Sequence, residues 1–87
     1  MHIRDFWWDE WNSSHIARHT VEPYEAEEIC LNAKRILKRR RGSYAAYGQA
    51  TSGRYLLVIY AYKGAGRVRV MTAREMNDQE KHWVKSI

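Results

Sequence analysis

Cysteine is almost absent from this chain, and the single thiol, Cys30, excludes any disulfide within it. The chain also has one proline and five glycines among 87 residues, and it contains no linker, no repeat and no low-complexity tract. A small protein without disulfides is typical of a reducing compartment, so we expect this one to act in the cytoplasm.

Long apolar runs and familiar catalytic motifs are also missing. The longest apolar run, Tyr55 to Tyr62, is too short to span a bilayer as a helix, and no secretory signal is expected. The chain has no Gly-rich phosphate loop, no Walker pattern, no Cys-x-x-Cys pair and no Ser-His-Asp order. These absences exclude the commonest nucleotide-binding, thiol-redox and serine-hydrolase classes.

Basic residues are what the chain has in excess. Its 15 Lys and Arg exceed its 10 Asp and Glu, which gives a formal net charge of +5 and a pI of about 9.6. Such a domain suits an anionic partner: nucleic acid, an acidic protein or a membrane surface. The membrane is disfavoured, because no segment is both strongly basic and strongly amphipathic.

The densest charge run is Lys34 to Arg41, which reads KRILKRRR. Ile36 and Leu37 within it predict a strand near a sheet edge, where basic side chains discourage pairing with other chains. We expect four of its side chains to contact RNA phosphates: Lys38, Arg39, Arg40 and Arg41. The alternative is a solvated strand edge without a ligand.

The apolar pattern predicts an α+β domain over residues 1–87, with element order β-α-α-β-β-β-β-α and a mainly antiparallel sheet. Two helices are expected near the amino end, one from Asp9 to about His19 and one beginning at Pro23. Arg54 to Tyr62 is nearly all apolar and predicts a central strand. Arg67 to Thr72 alternates as a strand, and Asn77 to Glu80 predicts the start of a carboxy-terminal helix in which Trp83 is a buried anchor.

Two segments carry a resemblance to a known family. Residues 53–76, GRYLLVIYAYKGAGRVRVMTAREM, and residues 6–29, FWWDEWNSSHIARHTVEPYEAEEI, resemble the two signature segments of the BrnT family. Its members are ribonuclease toxins of type II toxin–antitoxin pairs. The resemblance implies a RelE-like fold and a metal-independent endoribonuclease that blocks translation. It also implies neutralisation by a BrnA-like antitoxin, with DNA contacted only through the antitoxin complex.

Arginines are the first candidates for the chemistry. Guanidinium is always charged and binds phosphate through two parallel hydrogen bonds, so it can stabilise the charge that develops during RNA cleavage. Arg54 and Arg67 are expected to bind RNA. Arg69 and Arg74 lie in the family's R-V-x-T-A-R-E-M motif and are expected to be catalytic. The alternative is that each is solvated or paired with Glu75 or Glu80. Strict alternation places Arg69 and Arg74 on opposite faces, so their convergence needs a bend after Thr72.

His15, His19 and Tyr47 are the candidates for proton transfer. The histidines are spaced i, i+4 and titrate near neutrality, whereas Tyr47 can donate a phenolic proton or stack on a base. No third ligand has convincing spacing, so we expect no metal and no cofactor. Structural roles remain open for all three, and packing is favoured for Tyr60.

One position departs from the family pattern. The place of an acidic residue thought to aid catalysis in related toxins reads Arg41-Gly42-Ser43-Tyr44 here, without a carboxylate. The sequence therefore supports two hypotheses: an endoribonuclease toxin, or a non-catalytic basic module that binds an acidic antitoxin or nucleic acid.

Overall fold

Residues 2–86 are described by a computed structural model, in which three helices pack on one five-stranded sheet. The elements run in the order β1 Asp5–Trp7, α1 Glu10–Ala17, α2 Pro23–Asn32, β2 Arg35–Lys38, β3 Ser43–Gln49, β4 Tyr55–Tyr62, β5 Arg67–Glu75 and α3 Asp78–Lys85. The predicted α+β class and element order are confirmed.

The sheet has strand order β1-β5-β4-β3-β2, with β1 parallel to β5 and the other neighbours antiparallel. β2 therefore lies at an edge, as its basic residues predict. We call the face covered by α1 and α2 the inner face. The core lies between this face and the two helices. It contains Ile16 and Ile29 of the helices and Val58, Val68 and Val70 of the sheet, all at most 1% exposed.

Capping side chains explain where the helices begin. The Asp9 carboxylate accepts a hydrogen bond from the Asn12 backbone N–H, and the Asn12 side-chain oxygen accepts one from the Asp9 backbone N–H. Asn77 and Glu80 form the same reciprocal pair at the start of α3. Pro23 follows the cap residue Glu22 of α2. The predicted starts of these helices are confirmed.

The end predicted for α1, at about His19, is wrong. The helix ends at Ala17, and Thr20 adopts a positive φ of 56°. This turn lets Val21 enter the core, where it is 3% exposed, and its N–H donates to the carbonyl of Ile16. Burial of Val21 thus ends α1 two residues early.

The bend after Thr72 on which convergence of Arg69 and Arg74 depended is not formed, because β5 continues to Glu75. The strand instead contains a bulge at Met71: Ile59 lies opposite Thr72, and Tyr60 lies opposite Val70. One extra residue shifts the alternation of faces by one position. Arg69 and Arg74 consequently lie on the same face of the sheet, opposite the inner face, which we call the outer face.

α1 lies along the part of β5 that the short strand β1 leaves unpaired. Asn12 is fully buried there, and its side-chain amide donates to the carbonyls of Trp7 and Val70 at 2.9 Å each. The amide replaces ladder hydrogen bonds that a longer β1 would make. α1 thereby stands at the border of the sheet, with Ile16 in the inner core and Trp11 and His15 on the outer side.

α3 packs against the outer face. The Trp83 and Tyr47 rings pack nearly perpendicular to each other with their centres 5.0 Å apart, and the Arg35 guanidinium lies 4.5 Å from the Trp83 ring centre. Trp83 is only half-buried, whereas its neighbour Val84 is 5% exposed. The prediction of Trp83 as a buried anchor is corrected, because α3 covers one end of the outer face and leaves the ring at its margin. Within residues 2–86, no helix is long and apolar enough to cross a membrane.

Candidate nucleic-acid interface

The part of the outer face that α3 leaves open forms a basic groove. Its floor includes Ile59, Met71 and Thr72, and its walls are α1 on one side and the turn between β2 and β3 on the other. A cavity of about 400 Å³ lies here, lined by Trp11, His15, Arg39, Ser43, Ile59, Met71 and Thr72. We call this cavity and its rim the outer groove.

Arg39 and Arg69 lie at the two ends of one cross-strand row beside this groove. The Arg39 N–H donates to the Ser43 carbonyl, Ser43 lies opposite Ala61, and Ala61 lies opposite Arg69. Three strand spacings separate the ends of the row, or about 14 Å. Ser43 and Ala61, which lie between the two arginines in this row, are small and leave space between them, an arrangement that suits a phosphate backbone.

Arg69 is held in place by three neighbours. Its guanidinium donates to the Asp9 carboxylate at 2.8 Å and lies 5.3 and 5.2 Å from the ring centres of Trp7 and Trp11. The Asn12 backbone N–H first, and then Arg69, lower the pKa of Asp9 below its usual range. The Arg69 side chain is only 17% exposed, so it contributes a positive charge that is fixed in place.

His15 is the predicted proton-transfer residue that the fold brings to the outer groove. Its ring stacks on Trp11 with centres 3.9 Å apart and is half-buried. Arg39 and Met71 line the same cavity, and the Arg69 guanidinium lies 3.5 Å from the Met71 sulfur. An imidazole that shares this cavity with Arg39, next to the Met71 that Arg69 contacts, can act on a phosphate bound there.

Arg74 and Tyr47 lie in another row, next to α3. Arg74 donates two hydrogen bonds of 2.9 Å to the Glu80 carboxylate, which raise the pKa of Arg74 and lower that of Glu80. Arg69 and Arg74 face Ala61 and Leu57, four residues apart on β4, or about 13 Å along the strand. The two arginines share a face but do not converge on one point.

Three further candidates lie outside the outer groove. Arg54 donates to the Glu25 carboxylate at 2.9 Å and to the Thr20 carbonyl at 2.6 Å, which fixes the turn after α1. Arg67 is 61% exposed, 3.7 Å from Asp5. His19 is exposed beyond the end of α1.

The basic turn between β2 and β3 adds the remaining predicted RNA contacts. Arg41 and Gly42 both have positive φ, 60° and 70°, and the Ser43 N–H donates to the Arg40 carbonyl. This is the geometry of a type I′ hairpin turn. An open cavity of about 580 Å³ at the turn is lined by Arg39, Arg40, Arg41 and Ser43. Lys38 is also exposed, but it lies on the inner face of the sheet.

Sequence reasoning missed several residues of this surface. Asp9 was identified only as a cap, although it also holds Arg69, whereas the pairing of Arg74 with Glu80 had been considered as an alternative. Trp11 is 49% exposed on the rim, and its i, i+4 spacing to His15 was the signal that could have identified it. Ser43 carried no signal, because its place depends on the hairpin register. Within the described residues, no group of three or more His, Cys, Asp or Glu side chains could hold a metal ion.

Comparison with known proteins identifies the family. Residues 7–80 match the model of the family described as the ribonuclease toxin BrnT of type II toxin–antitoxin systems. The chain belongs to the BrnT family. That family's toxins act in pairs with an antitoxin, so an antitoxin partner is implied for this member.

A solved structure agrees with the BrnT fold. The 1.1 Å crystal structure of the Brucella abortus ribonuclease toxin BrnT superposes with a TM-score of 0.66 at 22% identity, over 82% of this chain and 94% of that one. At this identity the likeness concerns the fold. No curated protein matches the chain. The RelE-like label stays a prediction.

Proposed function

We propose that this BrnT-family protein is a metal-independent endoribonuclease whose cleavage site is the outer groove. The observation that carries the proposal is that Arg39 and His15, from separate parts of the chain, line one cavity, and that Arg69 contacts Met71, which lines the same cavity. Two guanidinium groups bind and neutralise phosphate, and an imidazole transfers protons near neutral pH.

The reaction that suits this arrangement is attack by the RNA 2′-oxygen on the adjacent phosphorus. The new O–P bond forms as the bond to the 5′-oxygen breaks, which leaves a 2′,3′-cyclic phosphate and a 5′-hydroxyl end. His15 takes the 2′-hydroxyl proton or supplies one to the leaving oxygen. Arg39 and Arg69 stabilise the extra negative charge on the phosphorane-like transition state.

The other predicted residues extend the site along the RNA. Arg40 and Arg41 supply charge at the turn, and Lys38 lies close by. Arg74 and Tyr47 lie beyond the floor, where the RNA strand would leave the groove towards α3. Loss of RNA by such cleavage in the cytoplasm would block translation, and the antitoxin would neutralise it.

Cleavage of single-stranded RNA by the purified protein in EDTA tests the proposal. We expect cleavage to persist in the chelator and to yield cyclic phosphate ends. A deoxy substrate of the same sequence, which lacks every 2′-hydroxyl group, should remain intact. Cleavage of the deoxy substrate, or a strict requirement for added metal, would contradict the mechanism.

A non-catalytic binding module is the second candidate. It is favoured by the ion pairs that hold Arg69 on Asp9 and Arg74 on Glu80, since RNA must compete with both carboxylates. RNA binding without any cleavage in the same assay would favour this candidate.

A further inference from the structure

A second cavity opens on the inner side of the sheet, between the end of α2 and the edge strand β2. It has a volume of about 450 Å³ and is lined by His2, Ile3, Cys30, Leu31, Ile36 and Tyr60. Leu31 and Ile36 are 55% and 48% exposed, so an apolar surface faces solvent here. We call this cavity the inner pocket. It lies on the opposite side of the sheet from the outer groove.

Tyr60 gives the inner pocket a polar group without a partner. The residue is 0% exposed, and its hydroxyl has no hydrogen-bond partner among residues 2–86. A buried hydroxyl left unpaired destabilises a fold, and such groups are uncommon. Because Tyr60 lines the pocket, an acceptor placed there by a ligand would satisfy it.

A basic segment reaches the inner pocket through Lys38, which shares the inner face with Ile36, whereas Lys34 lines a cavity beside α3 and the three arginines 39–41 line the turn. Six of the 15 basic residues lie within 34–41 without any acidic residue, so the other nine are balanced by the chain's 10 acidic residues. Among residues 2–86, no ion pair involves Lys34, Lys38, Arg39, Arg40 or Arg41. β2 is also an edge strand, so one side of its backbone is free to meet another chain.

We propose that the inner pocket is the docking site of the antitoxin, through a segment that is acidic and carries apolar side chains. An apolar side chain would fill the space between Leu31 and Ile36, and a carbonyl or carboxylate oxygen would accept from Tyr60. A carboxylate beside it would pair with Lys38, which lies on the inner face two residues after Ile36. The inference rests on the proposed function only in that a toxin of this family has an antitoxin.

The inner pocket suits RNA less well than a protein segment. Bases bind proteins by stacking on exposed rings or through hydrogen bonds to their edges. Among the residues that line the pocket, His2 is the exposed ring, whereas the exposed apolar side chains Leu31 and Ile36 are aliphatic. An acidic protein segment satisfies the apolar surface and the positive charge together.

Three matched variants test the site with the cognate antitoxin of this toxin as the probe. Leu31→Glu and Ile36→Glu should each weaken antitoxin binding about tenfold or more. Leu37→Glu is the control, since Leu37 is 46% exposed on the same strand but on the outer face. It should bind as the parent does. Circular dichroism and unfolding curves show that each variant is folded.

Tyr60→Phe gives an independent test, because loss of folded protein cannot produce the result expected for it. The free protein should be at least as stable as the parent, because an unpaired buried hydroxyl is removed. Its affinity for the antitoxin should nevertheless fall about threefold to tenfold. Higher stability with weaker binding is the signature of a hydroxyl reserved for a partner.

Several results would overturn the assignment. These are parent-like antitoxin affinity in Leu31→Glu, Ile36→Glu and Tyr60→Phe, an equal loss in Leu37→Glu, or no binding of that antitoxin to the parent chain. Loss of RNA affinity in the pocket variants would assign the surface to RNA instead. RNA cleavage is measured in parallel, so failure of the proposed ribonuclease activity is seen separately from failure of docking.

Discussion

Arg69 shows how one side chain can serve both the fold and the site. It binds Asp9, which caps α1, and it lies against two tryptophans beside the outer groove. We expect Arg69→Ala to lower RNA cleavage roughly 10²–10³-fold, as loss of one charge-stabilising donor typically does. Arg67→Ala is the matched control, because Arg67 is 61% exposed on the same strand, and its cleavage should change little.

The RNA cleavage rates of Arg69→Ala and Arg67→Ala must be compared at equal concentrations of folded protein. Its melting curve and circular dichroism spectrum show whether the fold survives without the bond to Asp9. A folded Arg69→Ala protein that cleaves RNA as fast as Arg67→Ala would remove Arg69 from the mechanism.

Glu25 is the residue that should make the fold sensitive to acid. Its carboxylate is 2% exposed and accepts from the Glu22 N–H, Ser52 and Arg54. Burial alone would raise the pKa of Glu25, but these hydrogen bonds outweigh burial and lower it. Because the pKa of Glu25 is lower in the folded state, its ionised carboxylate stabilises the fold at pH values above the unfolded pKa of about 4.5. This stabilisation is lost as pH falls below that value.

Denaturant unfolding of Glu25→Gln as a function of pH checks this account. The variant should be less stable than the parent at pH 7, and the gap should narrow as pH falls from about 5 to 3. A gap that stays constant over that range would show that Glu25 does not carry the acid sensitivity.

Among the elements, the helices and the central strands could be predicted from sequence because local signals define them. Asp9, Pro23 and Asn77 mark helix starts by hydrogen-bonding capacity alone, and the apolar run of β4 has no other stable environment. The bulge at Met71 could not be predicted, since it depends on how β5 pairs with β4. That bulge determines which face of the sheet carries Arg74, so the sequence could not reveal that Arg69 and Arg74 lie on the same face.

α3 gives a prediction about packing at the element scale. Trp83 contacts Tyr47 and Arg35 but is only half-buried. Trp83→Ala should therefore cost about 1–3 kcal/mol, below the roughly 3–5 kcal/mol of a fully buried aromatic residue. Denaturant unfolding at pH 7 measures the difference, and a loss within the fully buried range would mean that α3 depends on Trp83 as a core residue.

The turn between β2 and β3 gives a prediction about charge. Each phosphate contact on single-stranded RNA contributes roughly −0.7 to the slope of log affinity against log salt concentration. Replacing Arg39, Arg40 and Arg41 by Gln should flatten that slope by about 2 if all three make contacts. An unchanged slope would show that the turn is a solvated edge.

At the scale of the whole molecule, the two faces of the sheet present different chemistry, and we propose a different partner for each. The outer groove combines fixed cations, an imidazole and a shallow floor, which suits RNA. The inner pocket combines aliphatic side chains, an unpaired hydroxyl and an edge strand, which suits an acidic protein. The basic residues 34–41 border both surfaces, so a bound antitoxin would also remove positive charge on which RNA binding depends.

The central claim is that His15 in the outer groove transfers protons during RNA cleavage, and its neighbour in sequence provides the control. His15 lines the groove, whereas His19 is exposed beyond the end of α1. Cleavage of single-stranded RNA in EDTA is measured for the parent, His15→Asn and His19→Asn across pH 5 to 9. We predict that His15→Asn loses roughly 10²–10⁴-fold in rate and that His19→Asn keeps the parental rate and pH profile. Equal rates for the two variants, or a loss confined to His19→Asn, would contradict the account.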